Sequence, residues 1–139
     1  MKVDLHMHTT CSDGEMTPEE LLELGIEQNL DYLSICDHDS LDAYEQLENS
    51  PLLSSTNLIV GMEFNTDGPN GELHILGYGF NPHHPAVQGY CEFRKNERIR
   101  WSKAIVERLQ QLGYPIEWEN CLARAKGGII VRTHISDEL

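Results

Sequence analysis

Three short apolar runs, at residues 3–6, 32–36 and 58–62, each end in histidines or carboxylates, and this pattern constrains the fold more than any other feature. Between the first two runs, Thr17-Pro18-Glu19-Glu20 is a helix start. Thr17 is the N-cap, Pro18 occupies N1, and Glu20 at N3 closes a capping box. Leu21, Leu22, Leu24 and Ile26 then carry the helix to about Gln28. A second helix is expected over residues 41–48. Strand, helix, strand, helix, strand is the pattern of a parallel sheet or barrel, so the expected class is α/β. The first run, Val3-Asp4-Leu5-His6, is expected to be a buried strand.

The next connection differs. Asp67-Gly68-Pro69-Asn70-Gly71 is turn chemistry, too short for a crossover helix, so residues 58–66 and 72–80 are expected to pair as an antiparallel hairpin. Centring the turn there sets Glu63 roughly opposite His74. From residue 85 to 112 the pattern becomes helical. Ile99, Val106, Leu109 and Leu112 mark one face, Arg94, Arg98, Arg100 and Arg108 supply charge, and Gly113 fits the C-cap. A shorter helix is expected over residues 118–125, then Gly127-Gly128 and the apolar run Ile129-Ile130-Val131. Thr133-His134-Ile135-Ser136-Asp137-Glu138 reads as the start of another helix. Because the sequence stops inside that element, we expect it to be the amino-terminal portion of a longer protein.

Composition removes several function classes. No apolar run could span a membrane, and Met1-Lys2 leads straight into Val3-Asp4 with no signal-peptide core, so a cytoplasmic protein is expected. Cys11, Cys36, Cys91 and Cys121 show no C-x-x-C spacing and read as reduced thiols. No G-x-G-x-x-G follows a strand, which excludes a Rossmann dinucleotide site, and there is no DNA-binding motif. The formal net charge of −13 is unevenly spread. Residues 1–93 hold 17 acidic residues against the single base Lys2, whereas residues 94–139 hold nine basic against six acidic. Such a half is either a solvated surface or a gatherer of cations beside a basic segment that could meet a phosphate. The placement of the histidines separates these readings.

His6 and His8 stand two apart at the end of the first strand, so both imidazoles face one side and can reach one ion. Asp13 follows in a loop, Asp37-His38-Asp39 follows the second strand, Glu63 follows the third, and His74 lies on the returning strand. A polar triplet after an apolar run is not expected in a core. Under this topology all these positions fall on one rim, at the carboxyl ends of the strands, where parallel α/β folds carry their chemistry. Four histidines and two carboxylates without thiolates suit manganese, zinc or iron better than a structural zinc. Cys11 and Cys36, near this rim, read as small buried residues rather than ligands.

Here the motifs become specific. Asp4-Leu5-His6-Met7-His8-Thr9-Thr10-Cys11-Ser12-Asp13-Gly14, Asp37-His38-Asp39, Gly61-Met62-Glu63 and His74-Ile75-Leu76-Gly77-Tyr78 resemble the PHP (polymerase and histidinol phosphatase) family. The most similar branch holds small phosphoesterases resembling nucleoside 3',5'-bisphosphate phosphatases and 5'-3' exoribonucleases. Residues 94–113 resemble that branch's arginine-containing helix. Val131-Arg132-Thr133-His134-Ile135 resembles its Gly-Arg-Pro-His-Ile segment, departing from it at Val131 and Thr133.

The resemblance implies a distorted (β/α)₇ barrel, with residues 1–84 as the amino-terminal portion of the barrel and residues 85–139 as a truncated helical insert. It implies up to three divalent ions, often manganese. His6, His8 and Glu63 would hold the first, Asp13 and His38 the second, and Glu63 and His74 the third, with three further ligands expected beyond residue 139. It implies hydrolysis of a phosphorylated small molecule, a nucleotide or a short RNA end by water that the metals make acidic, so no protein nucleophile is needed. Arg98, Arg132 and His134 are candidate phosphate contacts, a role that suits arginine's forked guanidinium. The competing reading is a non-catalytic metal-binding or interaction module. A module serving a DNA polymerase fits poorly, since nothing else in the sequence suggests a polymerase.

Overall fold

The chain enters its first helix where local chemistry demands it. In a computed structural model describing residues 1–69, 71–126 and 130–139, the Thr17 hydroxyl accepts from the Glu20 N–H at 3.3 Å. The Glu20 carboxylate in turn accepts from the Thr17 N–H at 2.8 Å. This capping box opens α1 (Pro18–Glu27), which follows β1 (Val3–Met7) and precedes β2 (Tyr32–Ile35). Then come α2 (Asp42–Leu47), a 3₁₀ turn over Pro51–Ser55, β3 (Gly61–Gly68) and β4 (Gly71–Tyr78). Three helices complete the described chain: α3 (Pro85–Gln111), α4 (Trp118–Arg124) and α5 (Arg132–Ser136). No described helix is long and apolar enough to cross a membrane.

The class is α/β, as the alternation of elements requires. β1 and β2 pair in parallel, Val3 beside Tyr32 and Met7 beside Ile35. β3 joins through two parallel bridges, Leu33 with Leu58 and His38 with Glu63, and pairs antiparallel with β4. Leu21 and Leu22 of α1, Leu33 and Ile35 of β2, and Ala43 and Leu47 of α2 form one buried apolar cluster with Cys11. Burying each aliphatic side chain there contributes about 2 kcal/mol.

Two expectations need correction. β1 is not buried: Val3 is 41% exposed, Asp4 and His6 are also exposed, and Leu5 and Met7 are half-buried. Burial of a strand depends on what covers its faces and edges, and β2 is the one strand paired with β1 among the described residues. The hairpin register also differs. Glu63 stands opposite Leu76, and His74 opposite Asn65. Glu63 therefore pairs two residues beyond His74. A two-residue shift preserves the face, so Glu63 and His74 remain diagonal neighbours on one side of the sheet. Asn70 of that turn lies outside the described residues.

The 27-residue α3 ends as its sequence indicates, one position from the expected cap. Leu112 is the C-cap, and Gly113 follows at φ +90°, a left-handed conformation that glycine adopts without strain. A second apolar cluster packs Val106 of α3 against Ile116, Cys121, Ala125, Ile130 and Ile135. On the expected face of α3 only part is covered, because Leu112 is 59% exposed. Gly127, Gly128 and Ile129 of the expected glycine pair and apolar run lie outside the described residues.

Candidate metal centre

The loop after β1 is tied to the end of β2 by one buried carboxylate. Asp37 accepts from the Thr9 N–H at 2.7 Å, the Thr9 hydroxyl at 2.6 Å and the Ser12 hydroxyl at 2.5 Å. Gly14 closes the same loop, donating to the Thr9 carbonyl at 2.9 Å. A Cβ at Gly14 would lie 2.3 Å from the His8 carbonyl oxygen, so only glycine allows the chain to fold back this tightly. The result brings Asp13 Oδ1 to 3.3 Å from His8 Nδ1, and Asp13 Oδ2 to 3.6 Å from His38 Nε2.

Glu63 is the centre of the arrangement. Its side chain is 7% exposed, and Oε2 accepts from His6 Nε2 at 2.8 Å and lies 3.1 Å from His8 Nε2. Oε1 accepts from His74 Nδ1 at 2.7 Å, and His38 Nδ1 lies 3.9 Å from Oε2. The four imidazoles form an arc, with successive ring centroids 5.1, 4.7 and 5.2 Å apart in the order His6, His8, His38, His74. Six residues from four segments of chain therefore meet at one rim, a convergence that the i, i+2 spacing and the strand ends make legible in the sequence.

Three sets of ligand atoms each lie within 4.8 Å of one another: His6, His8 and Glu63; His8, Asp13 and His38; His38, Glu63 and His74. The expected pairs Asp13–His38 and Glu63–His74 each acquire a further histidine. The donors are imidazole nitrogens and carboxylate oxygens, the set that first-row divalent ions prefer. The residues fit such ions.

The charges are arranged to keep the carboxylates ionised. The hydrogen bond with His38 brings the Asp13 carboxyl down to about 2, against the opposing effect of its partial burial. Burial pushes Glu63 upward, but the His6 hydrogen bond, the His38 charge and the His74 hydrogen bond hold it below the ordinary range. Burial lowers His8, against the pull of Asp13, and the neighbouring His38 lowers it further. Burial acts the same way on His38, yet hydrogen bonds to Asp13 and Asn65 outweigh it and raise this imidazole.

The polar triplet after β2 divides its roles in a way the sequence does not announce. His38 faces the cluster, while Asp37 and Asp39 are buried, contrary to the expectation that such a triplet avoids the core. Asp39 sits at φ +50° and gathers α3: Tyr90 Oη donates to it at 2.6 Å, Arg98 at 3.0 Å and Arg94 at 3.3 Å. It also accepts from the Asn65 N–H at 2.9 Å. The paired charges make its burial tolerable. Asn65 and Glu72 are further residues that the sequence reading missed. Asn65 contacts His38, His74 and Glu72, and Glu72 is held below its usual range first by the Asn65 hydrogen bond.

Of the expected phosphate contacts, Arg98 points to Asp39, and its Nε is buried without a partner among the described residues. Arg132 and His134 both lie on α5. The His134 Nδ1 accepts from the Val131 N–H at 3.2 Å. The cysteines meet expectation: Cys11 and Cys36 are buried and belong to none of the three sets, and burial pushes the Cys11 thiol up to about 11.

Known proteins share both sequence and fold with this arrangement. The chain is 37% identical over 137 residues to the 5'-3' exoribonuclease Rnm of Salmonella typhimurium, across 96% of this chain and 46% of that protein. It is 25% identical over 115 residues to the 3',5'-nucleoside bisphosphate phosphatase of Chromobacterium violaceum, across 83% and 38%. The chain spans about half the length of the curated relatives it matches. A solved structure from Bifidobacterium adolescentis, provisionally described as a metal-dependent phosphoesterase, superposes with a TM-score of 0.89 at 30% identity. That match covers all of this chain and 49% of the other. The PHP domain matches residues 4–116, a span that contains all six convergent residues. The chain belongs to the PHP domain family.

Proposed function

We propose that this chain carries the metal-binding face of a phosphoesterase that hydrolyses phosphate esters of nucleotides or RNA ends. The observation that carries this reading is the arc of four imidazoles and Asp13 around one buried carboxylate, Glu63. Up to three divalent ions, manganese before zinc or iron, would be held by His6, His8, Asp13, His38, Glu63 and His74. When bound, such ions acidify water and neutralise charge on phosphoryl oxygens. The strands would form part of a distorted (β/α)₇ barrel, with residues 85–139 a helical insert.

The chain's own residues do the positioning. Glu63 presents one oxygen to His6 and His8 and the other to His74, so a single buried group sets the spacing between two ligand sets. Asp37 holds the loop that brings Asp13 to His38. Arg98, Arg132 and His134 are the proposed phosphate contacts. Asp39 holds the Arg98 guanidinium through Nη2 at 3.0 Å, which sets where this arginine stands beside the rim. The names of the Salmonella and Chromobacterium relatives favour nucleotide and RNA substrates.

The test is hydrolysis of a nucleoside 3',5'-bisphosphate with saturating Mn²⁺, beside calorimetric Mn²⁺ binding. It compares this chain, His38→Ala, and a protein extended to the relatives' length. We expect all but His38→Ala to bind Mn²⁺ well and the extended protein to turn over fastest. Absence of Mn²⁺ binding by the unaltered chain would overturn the proposal.

A further inference from the structure

Asn65 occupies a position in β3 that reaches two of the clustered histidines at once. It pairs across the hairpin with His74 and lies two residues from Glu63, hence on the same face. The residue is 4% exposed, and its backbone is held at both ends. Its N–H donates to Asp39 Oδ1 at 2.9 Å, and its carbonyl accepts from Tyr90 Oη at 3.2 Å. Its side-chain amide has three neighbours: Glu72 Oε1 at 2.9 Å, His74 Nε2 at 3.2 Å and His38 Nδ1 at 2.9 Å.

Hydrogen-bond logic fixes the orientation of that amide. A carboxylate only accepts, so the Asn65 nitrogen must face Glu72, and the oxygen must then face His38. An amide oxygen only accepts, so His38 must carry its hydrogen on Nδ1. A neutral imidazole has one hydrogen for two acceptors, and the Asn65 oxygen at 2.9 Å from Nδ1 outcompetes Asp13 Oδ2 at 3.6 Å from Nε2, so the lone pair is on Nε2.

This matters because His38 borders two ligand sets, one with His8 and Asp13 and the other with Glu63 and His74. We propose that Asn65 is a positioning residue that fixes the His38 tautomer and thereby assigns His38 to the set it shares with Asp13. The third set keeps Glu63 and His74, with the His38 nitrogen nearest to it engaged by Asn65. The order of control runs from Glu72 through Asn65 to His38. The assignment rests on the metal-binding reading given above, but the tautomer itself does not.

The test uses this 139-residue chain with ¹⁵N-labelled histidine. Long-range ¹H–¹⁵N NMR spectra are recorded without metal at about pH 8.5, where imidazoles are neutral. The His38 signals are assigned by their loss in His38→Gln. We expect His38 to carry its hydrogen on Nδ1, the form free imidazole favours less. Asn65→Leu, similar in size but unable to accept, should shift it to Nε2. Asn65→Asp, which still accepts, should keep it on Nδ1. In calorimetric titration with Mn²⁺, Asn65→Leu should weaken one class of site by about tenfold, the lower range for loss of a group that orients a metal ligand.

A wild-type His38 with its hydrogen on Nε2 would overturn the proposal, as would an Asn65→Leu spectrum unchanged at His38. Should Asn65→Leu fail to fold, the wild-type and Asn65→Asp spectra decide the matter by the same criterion. A His38 signature that behaves as expected, in a chain that binds no Mn²⁺, would overturn the metal assignment and with it the sharing of ligands. It would leave the hydrogen-bond relay in place.

Discussion

In residues 1–84, Thr9, Ser12, Asp37, Asp39, Glu63 and Asn65 are buried together at one rim of the sheet, whereas among the described residues of 85–139 the buried set is apolar except for Ser102. The helical part instead leaves Phe93, Trp101, Leu112 and Tyr114 more than half exposed. A segment that buries polar groups must satisfy each of them, so the rim of the sheet part is specified by hydrogen bonds, above an apolar cluster of its own. The helical part is specified by packing of Val106, Ile116, Cys121, Ala125, Ile130 and Ile135. Between the two, Asp39 receives Tyr90, Arg94 and Arg98. The lesson is that a site of six ionisable residues needs a second polar layer to hold it, and that this layer also docks the helix.

The contrast is broken most completely at Glu63. With Mn²⁺ at a hundredfold excess over its dissociation constant, the unaltered chain should gain about 2.7 kcal/mol of stability by mass action. Glu63→Ala removes the carboxylate shared by two ligand sets and should abolish nearly all of that gain. Thermal unfolding with and without Mn²⁺ measures both. An undiminished gain would mean the ions bind elsewhere.

Ile116→Ala probes the opposite region. Ile116 is 1% exposed inside the helical cluster, and its truncation should cost about 2–4 kcal/mol in urea unfolding. If the two regions are held by different forces, the Mn²⁺ gain should remain intact. Loss of that gain would show that the helical packing supports the rim.

Asp39→Asn tests the bridge. The carboxylate is fully buried, and removing its charge strands two guanidinium groups that are 18% and 26% exposed. The expected loss is about 2–3 kcal/mol, below that of a wholly enclosed pair because both arginines retain some water. Unlike Ile116→Ala, this change should also weaken Mn²⁺ binding, since Asp39 holds the Asn65 backbone. A loss of stability with unchanged Mn²⁺ affinity would separate the bridge from the site.

Dependence on pH sharpens the same contrast, and its sign can be worked out from His38. Burial alone would lower this imidazole, but hydrogen bonds to Asp13 and Asn65 raise it above 6.5. Without metal, a raised folded value contributes stability that is present below 6.5 and lost as pH rises through the raised value. A metal ligand must be deprotonated, so Mn²⁺ affinity at the His38 set should instead fall about tenfold per pH unit below that value. Asp13, at about 2, stays ionised throughout, and His8, lowered by burial, competes only in more acid solution. Unfolding midpoints between about pH 6 and 8 should therefore show the Mn²⁺ gain growing with pH. A gain that is constant would remove His38 from the ligands.

Much of the site was legible because it follows local rules. His6 and His8 share a side by strand alternation, and Asp13, His38 and Glu63 follow apolar runs at strand ends. Even a misplaced register left Glu63 and His74 on one face, since the error in pairing was two residues. Asp37, Asp39 and Asn65 were not legible as structural hubs. The partners of Asp37 and Asp39 lie 25 to 59 residues away along the chain and Asn65 reaches His38 across 27, and no periodicity encodes such distances. The exposure of β1 was hidden for a related reason: Val3-Asp4-Leu5 has the composition of a buried strand, but burial depends on neighbours.

The smallest expected effect concerns α1, the element whose start was most fully encoded. Thr17 accepts from the Glu20 N–H, and Glu20 accepts from Thr17, so Thr17→Ala removes one partner for an otherwise unsatisfied donor at the helix start. The loss should be about 1 kcal/mol in urea unfolding, because that donor is exposed and water replaces the hydroxyl in part. Thr17→Ser, which keeps the oxygen, should recover most of it. The Mn²⁺ gain should not change, although the Thr10 N–H is bonded to the Met16 carbonyl just before the helix. Asp13 is brought to His38 by a loop whose position depends on Asp37, three hydrogen bonds deep in the sheet part, and not on the helix start. A tenfold fall in Mn²⁺ affinity in Thr17→Ala would reverse that order and make the capping box, rather than Asp37, the support of the Asp13 loop.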